Sequence, residues 1–154
     1  MSDGARAQRK LGMSASSNVS MKLTKDETEF IKSQNVGRVS TVSKDGIPHN
    51  VPVCPILDAG NVYFATENTA TKLKNIKANP HVAIVFDVYS NSWKNLRGIL
   101  MQCKGRVVDR AEFNKIRRKL YAKYPHYKTD APLEPEDSII IKLAPSKKFS
   151  WGFE

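Results

Sequence analysis

Residues 41–66, "TVSKDGIPHNVPVCPILDAGNVYFAT", leave few choices of fold. Lys44-Asp45-Gly46 and Asp58-Ala59-Gly60-Asn61 read as turns, because Asp-Gly and Gly-Asn supply the positive-φ positions that tight hairpins need. The runs before, between and after them are strand-like, so the three strands form a meander that is antiparallel by construction. The middle run, Ile47 to Leu57, carries three prolines: Pro48, Pro52 and Pro55. Proline donates no ladder hydrogen bond and marks an edge strand or a bulge. This strand is therefore either an edge guarded against aggregation or a backbone turned toward the polar rim of a planar ligand.

The rest of the chain supplies more strands and a few helices. Thr24 and Glu27 have capping-box spacing at the start of "TKDETEFIKSQ", with Gly37 as a stop. After Thr66, "ENTATKLKNIKANP" has helical spacing; Thr69 or Thr71 can cap it, and Asn79-Pro80 ends it. "HVAIVFDVY" (81–89) and "GILMQCKGRVVD" (98–109) are apolar strands, the second with Gly105 as a candidate bulge. "DRAEFNKIRRKLYAKYP" is a helix with Phe113, Ile116, Leu120 and Tyr124 on its apolar face. "DSIIIKLAP" is the last strand, followed by a tail, "SKKFSWGFE". The sum is a mainly β (α+β) chain of about six antiparallel strands with short flanking helices, which suggests a barrel.

The 154 residues make one domain with room for a core. Residues 1–20 lack the apolar segment of a secretory signal and read as a disordered tail, with an amphipathic targeting peptide as the weaker alternative; the domain is expected over 21–154. No apolar run is long enough to cross a membrane as a helix. Cys54 and Cys103 form no metal-binding spacing and read as reduced thiols of a cytoplasmic protein. The net charge of +10 favours polyanions in general, whether nucleic acid, a membrane surface or a phosphorylated cofactor. Its spread along the chain makes nucleic acid the weaker choice. The densest cluster, "KIRRKLYAK" (115–123), is either a solvated helix face or an anion-binding one.

Candidate chemistry sits after Thr66. The first turn of a helix has free N–H groups and a positive dipole end. Thr66, Thr69 and Thr71 add hydroxyls and Lys72 a full charge, a cradle suited to phosphate. The alternative is an ordinary helix start with solvated lysines. His49 and Asn50 adjoin Pro48, but no nucleophile–base arrangement accompanies them. Asp87, Asp109 and Glu112 are scattered and give no general-acid pair. If the protein is an enzyme, a cofactor must carry the difficult chemistry.

Together, "RVSTVSKDGIPHNVPVCPILDAGNVYFAT", "TKLKNIKANPHVAIVFD" and "KGRV" resemble the pyridoxamine 5'-phosphate oxidase-like flavin-binding split barrels, over about residues 24–151. The resemblance implies a six-stranded antiparallel Greek-key split β-barrel and a homodimer with flavins at the subunit interface. It assigns the cofactor phosphate to Thr66, Thr71 and Lys72, with Lys74 or Asn75, and the isoalloxazine ring to Val51, Pro52, Val53 and Cys54. Trp151 is expected near the same pocket, or as a plug at the barrel end. True pyridoxamine phosphate oxidases carry an arginine and a lysine where this chain has Val51 and Ile56. They also carry a C-terminal Arg-x-His signature that "KKFSWGFE" lacks. The resemblance thus implies a flavin mononucleotide (FMN) oxidoreductase acting on some other small molecule. The alternatives are a deazaflavin (coenzyme F-420)-dependent reductase, whose anionic tail the positive charge suits, and a non-catalytic flavin- or haem-binding protein.

Overall fold

The computed structural model describes residues 21–153; the tail expected over residues 1–20 lies outside them. Helix α1 (Lys25–Ser33) starts at the predicted capping box. The Glu27 N–H donates to Thr24 Oγ1 at 3.1 Å, and the Thr24 N–H donates to Glu27 Oε2 at 2.9 Å. Then come β1 (Gly37–Val42), β2 (Pro48–Val53), β3 (Ile56–Asp58), β4 (Asn61–Glu67), α2 (Thr71–Ala78) and β5 (His81–Val88). A short 3-10 turn at Trp93–Asn95, β6 (Arg97–Val107), α3 (Arg110–Lys123), α4 (Tyr127–Asp130) and β7 (Ser138–Trp151) complete the chain.

All the strands lie in one antiparallel sheet, ordered β2-β1-β5-β6-β7-β4-β3. β2 and β3 are consecutive in the chain yet stand at the two ends of that order. The sheet must therefore curl until its ends meet at Cys54-Pro55. The predicted architecture stands, with seven strands rather than six. The difference lies in the run Ile47–Leu57, which is two strands: β2 pairs with β1, and after a two-residue break β3 pairs with β4.

The register explains Pro48 and Pro52. The Ser43 N–H donates to the Ile47 carbonyl at 2.9 Å, which makes this a hydrogen-bonded position of the β1–β2 hairpin. Such positions alternate along an antiparallel pair. Thr41–His49, Val39–Val51 and Gly37–Val53 are then bonded pairs, while Pro48, Asn50 and Pro52 fall between them. The nitrogens of both prolines point off the free edge of the sheet, where no ladder donor is lost. Pro52→Ala is accordingly expected to cost no more than about 1 kcal/mol in urea unfolding, the loss of the ring's restraint on the unfolded chain. Val51→Pro, one residue away, deletes a ladder donor and should cost about 1–3 kcal/mol. Equal costs would contradict this register.

The last strand does not stop at Pro145, as the sequence suggests, but runs on to Trp151. Gln102 faces Lys147 while Cys103 faces Pro145, so Ser146 is an additional residue. Its hydroxyl donates to the Gln102 carbonyl at 3.1 Å. The bulge absorbs the proline's missing donor and lets pairing resume. Gly105, the predicted bulge, is instead a site of close packing: a Cβ there would lie 3.2 Å from Ile76, Val82 and Leu143 side-chain atoms.

The barrel interior is filled by Val39, Phe64, Ile84, Phe86, Met101 and Ile141, all inaccessible to solvent, with Leu73 and Ile76 of α2 closing one end. A second apolar cluster lies where α3 sets Phe113, Ile116 and Leu120 against Ile56, Tyr63 and Ile140. The extension of β7 is tied to α1 by a buried charge pair. Lys148 Nζ donates to Glu27 Oε2 at 2.6 Å, and Ser150 Oγ donates to Glu27 Oε1 at 2.8 Å. Burial pushes the Glu27 carboxyl up, but bonds from Lys148, the Thr24 N–H and Ser150 together hold it below its usual value.

Most charges of the basic helix serve the fold. Lys119 and Lys115 pair with Asp58, and Arg117 donates to the Leu133 carbonyl. Lys123 Nζ donates to the Gln34 and Pro55 carbonyls at 2.6 and 3.0 Å. The scattered carboxylates are also occupied. Asp87 pairs with Arg38, and Asp109 caps α3. Glu112 gathers Arg106, Lys142 and the Tyr63 hydroxyl.

Candidate functional site at the barrel opening

The curled sheet leaves an opening with backbone on both sides. β2 has no strand on its outer flank. β3 covers only Asn61–Tyr63 of β4, so the same flank of β4 is bare from Phe64 onward. Cys54, at the end of β2, and Ala65, on β4, pack against the same apolar cluster, which places both free edges at one opening. The Cys54-Pro55 junction is held rigidly. The Pro55 carbonyl accepts from both Lys123 Nζ and the Tyr124 hydroxyl, the latter at 2.7 Å.

Beyond β4 the chain enters α2, where the sequence suggests a phosphate cradle, and the cap differs from the expected one. The N-cap is Ala70, and no side chain caps the helix, neither Thr69 nor Thr71. The Lys74 N–H closes the first turn onto the Ala70 carbonyl. The N–H groups of Thr71, Lys72 and Leu73 therefore have no intrahelical acceptor. Lys72 is half-buried. Burial pushes its pKa down, and the nearby Glu67 carboxylate works against that shift. Among the described residues no carboxylate lies within ion-pair distance of the Lys72 ammonium. An uncapped helix start beside a partly desolvated ammonium fits a phosphate, whose charge would satisfy both.

Next to this turn lies a cavity of about 530 Å³, lined on the β4 side by Ala65, Thr66 and Asn68 and on the other by Tyr127, Leu133 and Asp137. Burial raises the pKa of Tyr127, so its hydroxyl keeps its proton.

Thr66, Thr71 and Lys72 share the junction between β4 and α2. Of the β2 residues, Val51 and Val53 bond to β1 and pack their side chains toward the barrel core, Pro52 lies on the free edge, and Cys54 follows the end of the strand. Lys74 is exposed on α2. Asn75 is buried inside the barrel, where its Nδ2 donates to Thr41 Oγ1 at 3.0 Å and fastens α2 to β1. His49 faces inward opposite Thr41, with its Nδ1 buried and without a hydrogen-bond partner. Trp151 lies at the far end of β7, against Gly98, with its ring 5.7 Å from that of Phe149. It is thirteen residues from Ser138, which pairs with Glu67 beside the cradle. Tyr127, Leu133 and Asp137 escape sequence reasoning because they come from distant segments with no motif of their own. The described residues contain no cluster of His, Cys, Asp and Glu able to hold a metal ion, and no helix long and apolar enough to cross a membrane.

Comparison with known proteins bears on the family and the fold. A curated relative, the 5a,11a-dehydrotetracycline/5a,11a-dehydrooxytetracycline reductase of Streptomyces rimosus, is 34% identical over 71 residues, 44% of this chain and 50% of the relative. The chain thus matches about half the length of that enzyme. Among solved structures, the haem storage protein HutZ of Vibrio cholerae superposes with a TM-score of 0.73 at 16% identity, covering 86% of this chain and 96% of that one. An F-420 reductase superposes at 0.65 and 23% identity, covering 82% and 98%. These likenesses show a common fold. Residues 23–152, nearly all of the described chain, match the family described as pyridoxamine 5'-phosphate oxidase, and the protein belongs to that family.

Proposed function

We propose that the protein is an FMN-binding oxidoreductase that works as a homodimer on a small organic molecule other than pyridoxamine phosphate. The observation that carries this reading is the continuity of the opening. Free backbone edges suited to a ring system lead directly to an uncapped helix start and a half-buried lysine suited to a phosphate. Thr66, Asn68 and Asp137 in the intervening cavity suit the hydroxyls of a ribityl chain. Bound there, the flavin supplies hydride or electron transfer. The chain supplies position through β2 and charge through Lys72. Val51 and Ile56 in place of the family's charged pair argue against pyridoxamine phosphate as the substrate.

The outer face of the sheet supports a dimer. Val42, Ala83, Val85, Leu100, Phe149 and Trp151 form a half-buried apolar surface. Val85, Leu100 and Phe149 are neighbours across three adjacent strands. Thr66 and Trp151 lie toward opposite ends of β7, roughly 40 Å apart for an extended strand at about 3.3 Å per residue. A cofactor site that includes both needs two protomers. A monomer by light scattering at micromolar concentration, with flavin still bound, would contradict the dimer.

A deazaflavin is the second reading, favoured by the net charge of +10, which suits an anionic cofactor tail. The visible spectrum of the purified protein, with mass spectrometry of the released ligand, separates the readings. Two flavin bands with an FMN mass support the proposal. A single deazaflavin band supports the second reading, and a Soret band would mean haem and overturn both.

A further inference from the structure

We propose that the loop after β5 is an anchor that each protomer inserts into a cavity of the other; this rests on the homodimer reading above. Residues 89–96 join β5 to β6 and carry Tyr89 and Trp93. These are 73% and 57% exposed, the aromatic side chains left most open to solvent among the described residues. The loop is nonetheless ordered. The Asn95 N–H donates to the Ser92 carbonyl at 2.8 Å and the Leu96 N–H to the Trp93 carbonyl at 3.2 Å. Its base is fixed to the end of β7, where Arg97 Nε donates to the Gly152 carbonyl at 3.3 Å. Gly152 lies so close that a Cβ there would come within 2.1 Å of the Leu96 carbonyl oxygen. An ordered loop that holds a tryptophan out in water has the character of a binding anchor.

The matching cavity lies on the outer face of the sheet, toward its other end. It has a volume of about 470 Å³ and is lined by Val42 and Ala83 together with Ser40, His81, Gln102 and Lys147. Ser40, Ala83, Gln102 and Lys147 are register partners across four adjacent strands. The bulge at Ser146 completes that row, since without the additional residue Lys147 would fall on the barrel side. An indole seated here meets the apolar side chains of Val42 and Ala83, with the Lys147 ammonium available to its face.

One geometry brings loop and cavity together. Val85, Leu100 and Phe149 form an apolar row across β5, β6 and β7. Along β5 this row stands two residues from Ala83 and three from Val88, where the loop begins. Along β6 it stands two residues from Gln102 and three from Arg97, where the loop ends. The row is thus about midway between the cavity and the loop. A two-fold dimer presents the same patch from both sides. An axis along this row packs it on itself and reverses the strand direction, so the loop end of each protomer faces the cavity end of the other.

Light scattering over a dilution series reads the dimer, and thermal unfolding reads the fold. The parent is expected to be dimeric. Trp93→Ala should raise the dimer dissociation constant at least about a hundredfold, because a buried interface tryptophan is a hot spot and two-fold symmetry counts it twice. Ala83→Trp, which fills the cavity from the outer face, should weaken the dimer similarly. An equimolar mixture of the two variants should regain a dimer, since the intact loop of one meets the open cavity of the other. Trp93 is mostly exposed in the protomer, so Trp93→Ala keeps the fold and decides the matter if Ala83→Trp does not fold. A dimeric parent whose Trp93→Ala variant dimerises as tightly, or two weakened variants whose mixture stays monomeric, overturns the insertion and leaves the dimer intact. A monomeric parent overturns both.

Discussion

Lys72→Ala is expected to weaken FMN binding by roughly ten- to a hundredfold, because a hydrogen bond to a charged group contributes about 1.5–3 kcal/mol and about 1.4 kcal/mol is a factor of ten. The ammonium is half-buried and forms no ion pair among the described residues. It stands in the first turn of a helix whose leading N–H groups are uncapped. A phosphate placed there gains a full charge as well as the helix's partial one. Riboflavin, which has no phosphate, should bind the variant and the parent alike. Lys77, exposed in the last turn of the same helix, is the control, and its substitution should change little. Equal loss of FMN and riboflavin would mean that Lys72 supports the fold and not the phosphate.

Lys148→Met is expected to give the largest loss of stability, about 3 kcal/mol, because it strands the buried Glu27 carboxylate without its cation. Glu27 is 3% exposed. It keeps only the Thr24 N–H and the Ser150 hydroxyl as donors. For a chain of this size the melting temperature should fall by roughly 6–12 °C. The pH dependence carries a sign. The folded pKa of Glu27 lies below its unfolded value. Its contribution to stability is therefore complete above the ordinary glutamate pKa and disappears as the pH falls through the folded one. Lys148→Met raises the folded pKa, so its deficit against the parent should be largest near neutral pH and shrink on acidification. Urea unfolding across that range checks this. A pH-independent deficit, or one under about 1 kcal/mol, would contradict the account.

How much of this was legible in the sequence varied with the distance over which each cause acts. The capping box of α1 and the two Gly-containing hairpins were legible, since every group involved lies within a few residues. The mainly antiparallel barrel followed from those turns and the apolar runs. The break at Cys54-Pro55 was not, because whether a proline interrupts a strand depends on which neighbour its nitrogen would face. Pro48 and Pro52 look the same as Pro55 in the sequence, yet they interrupt nothing. The extension of β7 was hidden because Pro145 reads as a stop, and only the opposing Gln102-Cys103 pair shows that a bulge accommodates it.

The candidate site divides in the same way. Thr66, Thr71 and Lys72 lie together because a single strand–helix junction holds them. Asn75, about one helical turn beyond Lys72, faces the barrel interior because its helix buries that side against β1. The basic run on α3 looked available for an anion, but its partners, Asp58 and the Gln34, Pro55 and Leu133 carbonyls, come from across the fold. The far wall of the cavity, with Tyr127 and Leu133, depends on the path between α3 and β7, which no local pattern fixes.

Equilibrium dialysis of FMN against the purified protein, with the mass of the loaded species measured by light scattering, tests the flavin-binding reading most directly. The account predicts one FMN retained per protomer in a species of twice the protomer mass. A protein that retains no FMN, or one that retains it as a species of single protomer mass, would contradict it.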